Sequence, residues 1–117
     1  IKKREVLRYN RTLDDLLRLG GRKWPRAAAV GEYCAYLREL DAYARWAHIY
    51  VHYLGNMYGG QMLRKTLPGP SEHLEFDDLK GCIAYVRENI TDVDPDEANR
   101  AFEWTIRIYD ELHSLFG

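Results

Sequence analysis

Two histidines stand close together in the segment HIYVHYLGNMYGGQMLRK, residues 48–65. His48 and His52 are four residues apart, so on a helix both imidazoles would lie on one face, where a metal ion could be bound. A stable site needs a further protein ligand, and no cysteine or acidic residue stands at a matching spacing. The pair therefore predicts packed or surface imidazoles rather than a metal site.

Three glycines, Gly55, Gly59 and Gly60, follow the histidines in the same helical pattern. A glycine costs a helix interior roughly 0.5–1 kcal/mol relative to alanine, a cost tolerated where the backbone bends or another body approaches closely. Gly55 and Gly59 share a face, and with Gly60 they predict a flat patch at a bend of the helix. A large planar ligand or a second helix could lie against it, and spacing alone favours close packing of a second helix.

An acidic segment, DVDPDEANRAFE, has the length of a calcium-binding loop. Four acidic residues occupy the first, third, fifth and twelfth positions of such a loop: Asp92, Asp94, Asp96 and Glu103. Glu97, however, stands where the sharp turn of the loop requires glycine, and Pro95 is typical of the first turn of a helix. We therefore predict a helix that begins at Pro95 after an N-cap at Asp94, with no calcium site.

The two cysteines, Cys34 and Cys82, have neither metal-ligand spacing nor the sequence context of a nucleophile. They predict reduced, buried thiols in an intracellular protein. The charged residues around the second helical segment predict a solvated face: Arg26, Glu32, Arg38 and Glu39.

The apolar residues recur at intervals of three and four, and no strand pattern with a period of two is present, which predicts an all-α fold of about five helical segments. The first segment, TLDDLLRL, is expected to have Thr12 as N-cap, Asp15 completing a capping box, and Gly20 as its end. The second is expected to begin at Pro25, and the third to cover roughly residues 43–65 after a turn near Asp41.

Two further helices are predicted after the break TLPGPSE. The fourth helix has an apolar face at the spacing expected of core residues: Phe76, Leu79, Ile83, Val86 and Ile90. The fifth is expected to bury a longer stripe: Ala98, Ala101, Phe102, Thr105, Ile108, Tyr109, Leu112 and Phe116.

Composition predicts a single soluble domain covering residues 1–117, since the chain is 46% hydrophobic and 30% charged. The net charge of −1 gives no electrostatic reason to expect a nucleic acid or an anionic membrane as partner. The longest weakly polar stretch, AAAVGEYCAYL, is too short to span a bilayer, and no signal peptide is recognisable. The sequence begins at Ile1 rather than methionine, so a leading region could have been removed.

The segment YVHYLGNMYGGQMLRK resembles the distal-helix signature of the heme oxygenase family, which is close to Y-x-R-Y-L-G-D-x-S-G-G-Q. The shared residues are Tyr50, Tyr53, Leu54, Gly55, Gly59, Gly60 and Gln61. Weaker resemblances follow the family's order in YLREL (36–40), YVREN (85–89) and AFEWTIRIYDEL (101–112). The resemblance covers most of the chain and implies a heme-oxygenase-like helical bundle.

Members of this family hold heme between two helices and open its ring with electrons and dioxygen, which gives biliverdin, carbon monoxide and ferrous iron. The resemblance implies that Gly55, Gly59 and Gly60 face heme on the distal helix. It also implies that Tyr50 and Arg87 contact the heme propionates, a contact for which a guanidinium is chemically suited.

Four departures from the family pattern predict that activity is lost. Asn56 occupies the position of the distal aspartate, and an amide can hydrogen-bond water but cannot relay a proton. Tyr58 replaces a serine, and Ile83 replaces a lysine that would contact a propionate. The chain has no histidine before His48, so the helix that carries the proximal iron ligand is expected to be absent and the bundle to be truncated at its N-terminal side.

These departures favour a pseudoenzyme: a non-catalytic domain that serves as a structural or interaction subunit of a larger assembly, with other protein chains as partners and without a bound metal or cofactor. The family's occurrence in organelles suggests a mitochondrion or plastid as its location. Two alternatives stay open. One is a heme oxygenase whose proximal half is missing from this chain, and the other is a heme-binding carrier or sensor that recruits His48 or His52.

Overall fold

The structure, a computed structural model, describes residues 3–19 and 27–116. These residues form five α-helices, two short 3₁₀ turns and no strand, which confirms the predicted all-α fold. The helices are α1 (Tyr9–Arg18), α2 (Ala28–Arg38), α3 (Ala42–Thr66), α4 (Leu79–Asn89) and α5 (Pro95–Phe116), and the 3₁₀ turns are Arg4–Val6 and Glu72–Leu74.

The chain divides into two compact units. The first unit is formed by Ile1–Trp24 and Tyr53–Thr91, and the second by Pro25–His52 and Asp92–Gly117. The long helix α3 therefore contributes its first half to the second unit and its second half to the first unit.

In the first unit, α1 packs on the 3₁₀ turn Glu72–Leu74, and α4 packs on the turn Arg4–Val6. The core of this unit is apolar and includes Val6, Leu54, Met57, Leu74, Cys82, Val86 and Ile90. Arg8 is also buried, and its guanidinium donates a hydrogen bond of 2.6 Å to the carbonyl oxygen of Glu75 and lies over the ring of Phe76. This arginine holds the segment before α4 against the start of α1.

The predicted capping box of the first helix is wrong. Helix α1 begins at Tyr9, and Thr12 lies inside it, with its N–H bonded to the carbonyl oxygen of Arg8. Asp15 does not cap its own helix, because its carboxylate accepts hydrogen bonds from the N–H groups of Glu72 and His73. The carboxylate that the local pattern assigned to a helix cap therefore makes a tertiary contact instead. The predicted end of the helix at Gly20 lies outside the described residues.

In the second unit, α2 packs against α5. The carboxylate of Glu111 on α5 accepts hydrogen bonds from the N–H groups of Ala28 and Ala29, so it satisfies free donors in the first turn of α2. The predicted start of this helix at Pro25, like Arg26 of the solvated face, lies outside the described residues.

Local signals fixed the starts of α3 and α5 as predicted. Asp41 precedes α3, and its Oδ1 accepts a hydrogen bond from the N–H of Ala44. Asp94 precedes α5, and its Oδ1 accepts from the N–H groups of Asp96 and Glu97. The acidic segment is therefore a capped helix start, as its proline indicated.

The predicted buried stripe of α5 is wrong in part. Ala101 is buried, but Phe102 and Tyr109 are exposed, and the side chain of Phe116 lies outside the described part of the chain. The buried face is rotated toward Glu97, which is fully buried, and Trp104, which is half-buried. Glu97 can lie on this side because Tyr36 and His48 hydrogen-bond its carboxylate.

Burial corrects the prediction for one of the two cysteines. Cys82 is buried as expected, whereas Cys34 is exposed on α2. The predicted core face of the fourth segment is confirmed, because Val86 and Ile90 are buried and Phe76, Leu79 and Ile83 are half-buried. No helix in the described part of the chain combines the length and the apolar character needed to cross a membrane.

Candidate functional site

A buried hydrogen-bond network joins α2, α3 and α5 in the second unit. The hydroxyl of Tyr33 lies 2.6 Å from Nδ1 of His48 and 2.8 Å from Nε2 of His52. Nε2 of His48 lies 2.8 Å from Oε2 of Glu97. We refer to Tyr33, His48, His52 and Glu97 as the polar network.

The centre of the polar network is closed to solvent. The side chains of His48 and Glu97 are 3% and 6% exposed, and Tyr33 is also buried. A buried polar group without a partner costs about 1–3 kcal/mol, so the network is stable only because its members satisfy one another.

Glu97 is the charged member of the polar network. Its carboxylate accepts hydrogen bonds from the hydroxyl of Tyr36, at 2.9 Å to each oxygen, and from the guanidinium of Arg100. Burial alone would raise the pKa of Glu97, but the hydrogen bonds from His48, Tyr36 and Arg100 outweigh it and lower the pKa. Glu97 is therefore ionised at neutral pH.

Tyr33 and His52 are the neutral members. Burial raises the pKa of Tyr33, so its phenol keeps its proton. Burial, followed by the neighbouring His48, lowers the pKa of His52. The indole of Trp104 stacks on the ring of Tyr33, with centroids 5.2 Å apart and planes 20° apart, and covers it with an apolar surface.

The spacing of His48 and His52 is explained by the single hydroxyl that lies between them. The prediction of a packed imidazole is confirmed for His48, which is buried with a partner on each ring nitrogen. Among the described residues, no cluster of three or more histidine, cysteine or acidic side chains is arranged to hold a metal ion.

A shallow pocket of about 250 Å³ lies on α5 beside Trp104. Its lining includes Arg100 and Arg107, and the guanidinium of Arg107 lies 4.7 Å from the centre of the Trp104 ring. Each arginine already pairs with a carboxylate, Arg100 with Glu97 and Arg107 with Glu32. The pocket therefore offers little unbalanced charge to an anionic ligand.

In the first unit, α3 presents an uncovered face. Gly55, Tyr58, Gly59 and Met62 lie on it at helical spacing, and we refer to these four residues as the open face. A Cβ built on Gly55 or Gly59 would meet no described atom within 4 Å. Tyr58 and Met62 are 49% and 75% exposed. The two glycines thus leave room for another body.

Gly60 does not belong to this patch, contrary to the prediction. A Cβ on Gly60 would lie 2.8 Å from Cδ2 of the buried Leu74, and the amide of Gln61 donates a hydrogen bond to the carbonyl oxygen of Leu74. Gly60 follows Gly59 directly, so its side of the helix is turned by about 100° and faces the core. The space beside Gly60 is filled by Leu74, whereas no described atom fills the space beside Gly55 and Gly59.

Arg87 lies at the edge of the open face. Its guanidinium carbon is 5.4 Å from the centre of the Tyr58 ring, a distance suited to a cation–π interaction. The structure therefore brings Arg87 to the same face as Gly55 and Gly59. Tyr50 lies half-buried on the part of α3 that belongs to the second unit.

Asn56 is half-buried on α3, and its side chain makes no hydrogen bond to any described residue. An amide in this position can hydrogen-bond water but cannot relay a proton. Its prediction as the replacement of a catalytic aspartate remains a prediction.

Sequence reasoning named the two histidines of the polar network but not the contacts that join them to Tyr33 and Glu97. It did not single out Tyr33, Tyr36, Arg100 or Trp104, and it assigned Glu97 only to the first turn of α5. One usable signal was present: Tyr33 and Tyr36 lie three residues apart on one side of α2, where an apolar face would be expected.

No protein-family model, no curated protein and no solved structure matches this chain.

Proposed function

We propose that this chain is a heme-oxygenase-like domain that does not cleave heme and that binds another protein chain through the open face of α3. The observation that carries this proposal is the exposure of Gly55 and Gly59 together with Tyr58 and Met62 on one face of a helix. The partner is expected to be a subunit of a larger assembly, in a mitochondrion or a plastid.

The energetics of the open face support a protein partner. Each glycine costs the helix roughly 0.5–1 kcal/mol relative to alanine, and no described atom uses the space that Gly55 and Gly59 leave. A helix of a partner could approach closely at these positions, as it does where small residues line a helix contact. The flanking apolar side chains would then be removed from water.

The chemistry of the site supports a non-catalytic role. Asn56 stands where the family has its distal aspartate, and Tyr58 places a large ring on the face that would approach heme. His48 is not available to bind iron, because both of its ring nitrogens are hydrogen-bonded inside the second unit. These residues fit heme only in part, so we derive no reaction step through it.

Heme binding is the second candidate, and one observation favours it. Arg87 lies beside the open face through its contact with Tyr58, and its guanidinium could pair with a propionate. In this candidate the planar ligand, rather than a helix, would lie against Gly55 and Gly59, either as substrate or as carried cargo.

The first experiment compares Gly59→Leu with Gly31→Leu. Both glycines are exposed within helices, and a Cβ on either would meet no described atom within 4 Å. Both substitutions should therefore preserve folding, but only Gly59→Leu fills the open face. A photo-crosslinking amino acid is placed at Met62 in the protein expressed in its native cells. It should form an adduct with one partner chain. Gly59→Leu should reduce this adduct at least tenfold, and Gly31→Leu should leave it unchanged.

Equal crosslinking in the two leucine variants would contradict protein binding through the open face. A heme titration of the same proteins, followed by the Soret band, tests the second candidate. Saturable one-to-one binding that is lost in Gly59→Leu and kept in Gly31→Leu would favour heme over a partner helix.

The variant Asn56→Asp distinguishes heme that is only bound from heme that is cleaved. Under the main proposal this change should leave the crosslinked adduct unchanged and give no biliverdin when heme and a reductase are supplied. A rise in biliverdin would instead favour a heme oxygenase whose remaining half lies outside this chain.

A further inference from the structure

We infer that the polar network is a proton relay: one proton taken up at His52 passes through the hydroxyl of Tyr33 and charges His48 beside Glu97. This inference rests on the second unit alone and does not depend on protein or heme binding at the open face.

The hydrogen bonds of the neutral network run in one direction only. The carboxylate of Glu97 can only accept, so Nε2 of His48, 2.8 Å away, must donate. A neutral imidazole has a single N–H, so Nδ1 of His48 accepts, and Tyr33 donates to it across 2.6 Å. The Tyr33 oxygen then accepts from Nε2–H of His52 at 2.8 Å.

An added proton reverses this direction. The proton forms an N–H bond at Nδ1 of His52, and Nε2 of His52 releases its own proton to the oxygen of Tyr33. Tyr33 in turn releases its original proton to Nδ1 of His48. One proton enters, each O–H or N–H bond that breaks is matched by one that forms, and the charge ends on His48. The hydroxyl of Tyr33 then donates to Nε2 of His52 across the same 2.8 Å.

The surroundings explain why the proton enters at one imidazole and rests on the other. His52 is half-buried, whereas the side chain of His48 is 3% exposed, so water reaches the relay at His52. A proton on His48 would give an ion pair with the carboxylate of Glu97, which lies 2.8 Å from Nε2. The lowered pKa of His52 and the raised pKa of Tyr33 mean that neither retains a charge.

Each helix that packs around His48 contributes a group that faces it. Helix α2 contributes Tyr33 and Tyr36, whose ring centre lies 5.9 Å from that of His48. Helix α3 contributes His52, and α5 contributes Glu97, whose charge is partly balanced by Arg100. With Arg100 in place, protonation of His48 makes this group of side chains positive by one charge.

The test is nitrogen-15 NMR of the histidine rings, which reports the tautomer and charge of each imidazole as a function of pH. As His48 becomes charged, His52 should change from its Nε2–H to its Nδ1–H tautomer with the same midpoint. Tyr33→Phe removes the hydroxyl between the rings but keeps the ring that stacks on Trp104, and it should abolish this coupling. Tyr36→Phe is the matched control. It removes the Tyr36 hydroxyl that donates to Glu97 but leaves the Tyr33 hydroxyl between the two histidines, so it should keep the coupling.

Three results would overturn the relay: a His52 tautomer that stays constant while His48 titrates, a coupling that survives in Tyr33→Phe, or a His48 that stays neutral wherever the protein is folded. Circular dichroism establishes folding for each variant. If Tyr33→Phe does not fold, the tautomer of His52 in the unmodified protein decides the question by itself.

Discussion

Each compact unit contains a histidine–carboxylate pair, and the two pairs differ in burial. In the second unit, Nε2 of His48 lies 2.8 Å from Glu97, and the two side chains are 3% and 6% exposed. In the first unit, Nδ1 of His73 lies 2.5 Å from Asp15, and the side chains are 34% and 5% exposed.

The difference shows that a histidine–carboxylate pair can serve two structural purposes. Asp15 fastens a 3₁₀ turn to α1, because it also accepts the N–H groups of Glu72 and His73, while the imidazole of His73 remains partly open to water. The side chain of His48 is almost completely buried, so the hydrogen-bond partner of its second ring nitrogen is Tyr33 rather than water. Burial of both partners therefore goes with a longer chain of hydrogen bonds, which reaches Tyr33 and His52.

The largest expected effect comes from removing Glu97, the carboxylate whose histidine partner is also buried. Glu97→Ala leaves His48 and Tyr36 without their acceptor, and breaking a buried pair in this way costs about 3–5 kcal/mol of unfolding free energy. Asp15→Ala should cost less, because water can reach His73. Urea unfolding at neutral pH measures both, and equal losses would show that burial does not distinguish the two pairs.

An intermediate and pH-dependent effect is expected for Asp15→Asn. Burial alone would raise the pKa of Asp15, but hydrogen bonds from the backbone and ring of His73 and from the N–H of Glu72 outweigh it and lower the pKa. Since the unfolded value is about 3.9, the stabilisation is complete above about pH 4 and is lost as the pH falls through the lower folded value.

Asp15→Asn should therefore lower the unfolding free energy by about 1–2 kcal/mol at pH 7, and its difference from the unmodified protein should shrink in acid. Asp14→Asn, at the exposed neighbouring position, is the control and should change the stability little at any pH. A difference for Asp15→Asn that stays constant from pH 7 into acid would refute the assignment of this pH dependence to Asp15.

The smallest loss of stability is expected for the arginines that lie beside each histidine–carboxylate pair. Arg100 pairs with Glu97, and Arg18 pairs with Glu72 beside His73, but both arginines are more than half exposed. Arg100→Ala and Arg18→Ala should each reduce stability less than Asp15→Asn, because water and salt screen exposed ion pairs. If Arg100→Ala approached the effect of Glu97→Ala, the charge of Arg100 would be essential to the buried pair.

Local chemistry predicted the helices well where the deciding contacts are local. Asp94 and Pro95 fixed the start of α5, and Asp41 the start of α3, because an N-cap needs only N–H groups within three residues. The start of α1 was not predictable in this way. The carboxylate of Asp15 instead accepts hydrogen bonds from backbone N–H groups of a segment almost sixty residues later in the chain.

The candidate sites were predictable to different extents for the same reason. Gly55 and Gly59 could be placed on one face of one helix from their spacing. The family resemblance assigned Arg87 to the heme propionates, but not its contact with Tyr58. The polar network could not be assembled from spacing, because Tyr33, His48 and Glu97 come from three helices and meet only after those helices pack.

The sequence by itself determined the helical periodicity, the breaks between helices and the side of α3 on which each glycine lies, since these depend on a few neighbouring residues. Only the tertiary structure decided which of those sides is covered. Leu74 occupies the space beside Gly60 and nothing described occupies the space beside Gly55 and Gly59. It also decided that Glu97, a polar residue, lies on the buried side of α5, because the free energy of burying a carboxylate depends on whether distant partners arrive to hydrogen-bond it.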